Sequence, residues 1–130
     1  TWSEISVGCE ACHGPGSAHI AWASSPKQGD SPAKGLTVLF HERHGISWSA
    51  DAKGKPVRSA PRSTTTELEV CAKCHARRQQ FADDAHVSYR LFDAFRPSRL
   101  DAGLYYPDGP ARDEIYTYGS FVQSRMHAAG

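Results

Sequence analysis

Apolar residues in this chain come in short bursts separated by polar, Gly- and Pro-containing stretches, so the pattern predicts brief elements rather than long ones. Gly14-Pro15-Gly16 interrupts any helix, and Ser17-Ala18-His19-Ile20-Ala21-Trp22-Ala23 reads as a short helix capped by Ser17. Residues 24–35 read as a loop. Leu36 to Trp48 mixes β-branched and aromatic residues without clean alternation and predicts at most a short strand. Residues 49–66 form a long polar connector, a length uncommon in a compact domain unless the segment is functional or wraps around something. Thr66-Glu67-Leu68-Glu69 is a capping-box pattern and opens a helix over about 67–80. A further helix is expected from Asp84 to Phe95, stopped by Pro97. Leu104 to Pro110 is a turn, with Pro110 the first residue of a last helix over about 110–128. There Ile115, Tyr118, Val122 and Met126 recur at helical spacing, which favours Met126 as a core residue over a thioether metal ligand.

Such elements bury little aliphatic surface. The 130 residues, 39% hydrophobic, suit one domain over 1–130, but there is one Met against three Trp, five Tyr and five Phe. Something besides aliphatic packing is expected to fill the interior. A formal net charge of +1 points to neither nucleic acid nor an anionic membrane surface. No apolar run approaches the roughly eighteen residues of a membrane span. The N-terminal residues lack a basic-then-apolar leader, so export would imply that a leader has been removed.

The four cysteines change the picture. They fall into two copies of one pentapeptide, Cys9-Glu10-Ala11-Cys12-His13 and Cys71-Ala72-Lys73-Cys74-His75. C-x-x-C-H is the attachment signature of c-type haem. One helical turn lets two thiols add across the vinyl groups of a porphyrin edge while the next residue brings an imidazole under the iron. Competing readings are weaker. Paired zinc knuckles usually lie about 15–20 residues apart, whereas almost sixty intervene here, and both pairs carry the trailing His. No βαβ pattern accompanies a thioredoxin-like pair. A disulfide within four residues is strained and closes almost no loop. The cofactor-binding residues are therefore Cys9, Cys12, His13, Cys71, Cys74 and His75, holding two covalent haem c groups.

His13 and His75 are the expected proximal iron ligands, leaving His19, His41, His44, His86 and His127. His19 lies six residues past His13, a span of at most about 20–22 Å fully extended, and Gly14-Pro15-Gly16 bends it. It is therefore expected to ligate the iron of the other motif. His86 follows as the next candidate metal ligand. His127 is a third, if its helix face turns inward or meets a neighbouring subunit. His41 and His44 read as polar partners to propionates. Arg43, Arg62, Arg77, Arg78 and Arg96 are candidates to clamp those carboxylates, and Trp22, Trp48, Phe81 and Phe92 to pack against porphyrin faces.

GCEACHGPGSAHIAWA, APRSTTTELEVCAKCHARRQQ and GLYYPDGPARDEIYTYGSFVQSRMHAAG resemble the haem-binding region of bacterial multihaem c-type cytochromes. The similarity is greatest to those fused to tetratricopeptide repeats and related to the tetrahaem cytochrome c of ammonia oxidisers. The resemblance implies bis-histidine low-spin haems, electron transfer and a location outside the cytoplasm, whether periplasmic, at the outer surface or extracellular. It carries the CHGPGxxH pattern onto His13 and His19 and a downstream histidine onto His86. In those relatives the segment like SRMHAAG runs into another C-x-x-C-H, whereas this chain ends at Gly130. The chain is then either a fragment of a larger multihaem cytochrome or a dihaem form standing alone. A free-standing form could meet redox partner proteins, or identical subunits in an extracellular conducting filament. The expected fold is small, mostly irregular and α-helical, with short helices and long loops wrapped around two covalently attached haems. The expected role is an electron carrier rather than an enzyme. The alternative is a small haem reductase or peroxidase with one open iron, served by His86 or Arg90.

Overall fold

The computed structural model describes residues 6–25, 29–83, 87–98, 100–112 and 116–130. Among these, six short helices and two antiparallel two-stranded ribbons form a mixed, irregular fold: α1 (Glu10–His13), α2 (Ser17–Ala23), β1 (Trp48–Ala50), β2 (Pro56–Arg58), α3 (Thr66–His75), β3 (Arg78–Gln80), α4 (Leu91–Ala94), β4 (Phe95–Pro97), α5 (Tyr118–Val122) and α6 (Arg125–Ala129).

Helix α3 organises the molecule because its two arcs differ in chemistry. Ala72, Lys73 and Ala76 fall on one arc with Glu69, whereas Cys71, Cys74 and His75 fall on the opposite arc. The first three are buried and the last three exposed. Ala72 and Ala76 are small enough to let α4 approach, and with Leu91, Ala94 and Phe95 they form the core. A core with three alanines among five residues stabilises modestly, and Leu91 and Phe95 supply most of its apolar volume.

The N-terminus of α3 is satisfied from a distance. A carboxylate oxygen of Glu42, Oε1, accepts from the Glu67 amide at 2.9 Å and from the Thr64 hydroxyl at 2.6 Å. The expected local capping box does not form. Thr65 is the N-cap and its hydroxyl donates to Glu69 at 2.6 Å, while Glu69 accepts from the Leu91 amide at 3.0 Å and so caps α4 instead. Burial raises the Glu69 pKa, but hydrogen bonds from Thr65 and Leu91 and the charge of Arg90 outweigh it, leaving the carboxyl below its ordinary value.

Helix α3 also ends early, at His75 rather than near 80, because Ala76 turns extended and residues 78–80 pair with 95–97. The Arg78 guanidinium donates back to the Lys73 carbonyl and lies 3.9 Å from the centre of the Phe95 ring, closing the helix end. Of the helix expected over 84–95, only Leu91–Ala94 is helical, and residues 84–86 lie outside the described residues. The carbonyls of Val87 and Tyr89 accept from the Lys73 ammonium, which takes them out of any local helical ladder.

The connector at 49–66 holds most of a hairpin rather than loop alone. Asp51 Oδ1 accepts from the amides of Lys53 and Lys55, both at 2.8 Å, and forms the turn between β1 and β2. Of the segment from Leu36 to Trp48, only Trp48 enters a strand. Ser17 begins α2 as expected, but Gly16 occupies the cap position and its amide donates to Glu10 at 2.6 Å.

The C-terminal helix expected over 110–128 is two helices. Ser124 adopts extended backbone and its hydroxyl accepts from the His127 amide at 3.1 Å, starting α6 afresh. The break rotates Met126 out of the apolar stripe, so it is 73% exposed instead of core. Pro110 precedes a bridge between Tyr105 and Ala111 and opens no helix. Among the described residues no helix is long and apolar enough to cross a membrane.

Candidate functional site

Helix α1 is a single turn, closed by the His13 amide on the Cys9 carbonyl at 2.9 Å. Cys9, Cys12 and His13 therefore stand at the i, i+3 and i+4 positions of one turn, on one side. Cys71, Cys74 and His75 repeat that arrangement on the outward arc of α3. All four thiols are free, with Cys12 half-buried and the others exposed. Burial first and the Cys12 thiol second push the Cys71 pKa above its ordinary value; Arg43 opposes and Cys74 adds to the rise. The tertiary fold brings together two segments almost sixty residues apart in sequence: Gly14, next to the first motif, lies against Val87, whose carbonyl accepts from Lys73 inside the second.

The two histidines of the first segment share one geometry. His13 Nδ1 lies 3.0 Å from the Val38 carbonyl, and the Val38 amide returns a bond to the His13 carbonyl at 3.1 Å. His19 Nδ1 lies 2.7 Å from the Lys34 carbonyl. A carbonyl only accepts, so each Nδ1 must carry a proton, and in the neutral ring Nε2 then keeps its lone pair. This is how metal-ligating imidazoles are oriented by their outer partners. Phe40 packs 4.8 Å from the His13 ring, and Trp22 stacks 5.6 Å from His19 while donating to the Gly29 carbonyl at 3.1 Å.

Two glycines allow these approaches. At Gly35 (φ 75°) a Cβ would sit 2.6 Å from the Ala18 carbonyl carbon and 2.7 Å from the His19 nitrogen. Only glycine lets the loop bring the Lys34 carbonyl beneath α2. At Gly14 (φ 80°) a Cβ would lie 3.0 Å from Thr37 and 3.3 Å from Val87.

The remaining candidates are placed differently. His75 is exposed on α3. His127 is half-buried, edge-on to Phe121 with ring centres 5.5 Å apart. His86 lies outside the described residues. His41 and His44, both exposed, sit at the ends of a turn joined by a backbone bond of 3.0 Å. Among the described residues no three His, Cys, Asp or Glu side chains converge as an ion held by protein ligands alone would need.

A cleft of about 490 Å³ opens beside Cys71, lined by Leu68, Trp48, Phe121 and Met126 with Glu42, Arg43, Arg58 and Arg62 among its polar residues. Its volume falls in the usual cofactor range of about 300–1,000 Å³. A second cleft, about 540 Å³, lies across Arg62, Thr64 and Thr65, against Val38, Val70, Val87 and Arg90. Phe81 and Phe92 line neither. Of the expected clamps, Arg43 pairs with Glu67, Arg78 covers Phe95, Arg77 lies 5.4 Å from the Tyr116 ring, and Arg96 donates to Gln79 at 3.2 Å. The donor set fits a thioether-bound haem at each motif: two free thiols and an imidazole on one turn, with an apolar, arginine-edged cleft at the second.

Sequence reasoning missed Glu42, Lys73 and Arg58. Lys73, 8% exposed, has a signal in hindsight, since it shares the arc of Ala72 and Ala76 opposite the thiols. Burial lowers its pKa, against the charges of Glu69 and Asp93. Glu42 and Arg58, brought together when the Arg58 guanidinium donates to the Glu42 carbonyl, had none. No family model, curated protein or solved structure matches the chain.

Proposed function

We propose that this chain is a dihaem c-type cytochrome that transfers electrons, with one haem c attached at Cys9 and Cys12 and the other at Cys71 and Cys74. The observation that carries the reading is the His13 imidazole: its Nδ1 is committed to Val38, its Nε2 is left for a metal, and two free thiols stand on the same turn. When bound, a haem supplies a one-electron ferric/ferrous couple. The protein's part is to hold, orient and shield. His13 and His75 serve as proximal ligands, and His19, held by the Lys34 carbonyl, offers a second oriented Nε2. The approach of Gly14, beside the first motif, to Val87, which is tied to Lys73 of the second, supports short-range exchange between the two attachment sites. A thin alanine-rich core and the exposure of Trp48, Phe92 and Met126 support a prosthetic group as part of the interior.

On this reading the protein belongs with the multihaem c-type cytochromes, works outside the cytoplasm and meets other redox proteins or further copies of itself. Intact mass spectrometry of the natively matured, unreduced protein tests it. The expected mass exceeds the polypeptide by two haems, and paramagnetic resonance should show low-spin ferric irons. The mass of the bare polypeptide would overturn the proposal. A persistent high-spin signal that responds to carbon monoxide after reduction would replace electron carriage with catalysis at an open iron.

A further inference from the structure

The cleft beside Cys71 carries three guanidinium groups and one buried carboxylate, and their commitments differ. Arg43 spends its Nε and a terminal nitrogen on Glu67. Arg58 donates to the carbonyls of Glu42 and Ala60. Arg62, half-buried in the wall common to both clefts, makes no hydrogen bond or ion pair among the described residues. Glu42 is 6% exposed; its Oε1 is used twice, but its Oε2 is shut off from solvent and has no partner among the described residues. A buried carboxylate oxygen without a donor is costly, and so is a second carboxylate brought near it.

We infer that Arg62 is the carboxylate-binding residue of this cleft, bridging Glu42 Oε2 and an acid group on a flat, apolar occupant. A guanidinium presents five donors in a planar fork, enough to serve two carboxylates at once, and one placed between them offsets their repulsion. Leu68, Trp48, Phe121 and Met126 suit the apolar body of such an occupant. The inference deepens the dihaem reading, in which the acid group is a porphyrin propionate. The charged groups facing Arg62 and Glu42 are Arg43, Arg58 and Glu67 in this cleft and Glu69 and Arg90 in the other.

The test uses mesoporphyrin IX, which lacks both iron and thiol-reactive vinyl groups, and its dimethyl ester, in which both acids are blocked. Each is titrated by fluorescence against the full chain produced without haem attachment. The wild type should bind the free acid about tenfold or more tightly over the ester, the scale of a charge-assisted pair. Arg62→Gln should bring that ratio close to one, and Arg62→Lys should restore part of it. Equal binding of acid and ester by the wild type, or an Arg62→Gln ratio matching the wild type, would overturn the inference. The intact mass of the matured protein decides the dihaem reading separately, so the two can fail independently.

Discussion

Gly35→Ala separates two contributions to the placement of His19. At φ 75° an alanine incurs the left-handed backbone cost of about 1–2 kcal/mol. Its Cβ would also stand 2.6 Å from the Ala18 carbonyl carbon and 2.7 Å from the His19 nitrogen, so backbone must move. Overpacking of this kind costs about a further 1–3 kcal/mol. Gly45 is the control: its φ is 69°, yet nothing lies within 4 Å of where an added methyl would stand, so Gly45→Ala bears the conformational cost alone. Denaturant unfolding of both variants beside the wild type should therefore show Gly45→Ala losing about 1–2 kcal/mol and Gly35→Ala about 2–5 kcal/mol. The displacement falls between the Lys34 carbonyl and His19 Nδ1, now 2.7 Å apart. Only Gly35→Ala should consequently disturb the His19 ring, read as a changed imidazole shift in nuclear magnetic resonance. Equal destabilisation by the two substitutions, with an unchanged His19 signal, would refute the close approach of the loop to α2.

Other expectations follow from the core and its polar ties. Leu91→Ala should cost about 2–5 kcal/mol in unfolding free energy, since its neighbours Ala72, Ala76 and Ala94 are too small to fill the space. Lys73→Met keeps the stem's bulk but removes the donors to the Val87 and Tyr89 carbonyls; amide hydrogen exchange should then quicken around residues 87–91 while α1 is unaffected. Glu69 has a folded pKa below its ordinary value, so the unfolded chain binds the proton more readily. Its contribution to stability is thus full above the unfolded carboxylate pKa and is lost as pH falls through the lower folded value. Glu69→Gln should flatten that acid limb in a series of thermal melts across pH.

The outcome of each sequence expectation depended on how far away its partners were. The short helix at Ser17–Ala23 and the turn bearing Cys9, Cys12 and His13 use hydrogen bonds within a few residues, and both appear. The capping box at Thr66 failed because Glu69 was drawn to the Leu91 amide and a carboxylate from residue 42 took its place. The last helix failed because Ser124, a residue able to cap, did so in mid-pattern, and helical periodicity alone could not reveal it. Met126 followed that break out to the surface.

What the amino-acid order determined by itself is the relation of each thiol pair to its histidine, since spacings of three and four residues place them on one side of any helical turn. The choice of which ring nitrogen each histidine exposes was made by tertiary structure, through the carbonyls of Val38 and Lys34, 25 and 15 residues distant. The same holds for the approach of the first motif's segment to Val87 and for the burial of Lys73 behind the second motif. A helical turn is encoded in a handful of neighbouring residues, whereas a carbonyl acceptor is chemically identical at every position. Only the folded path of the chain decides which one arrives beneath an imidazole.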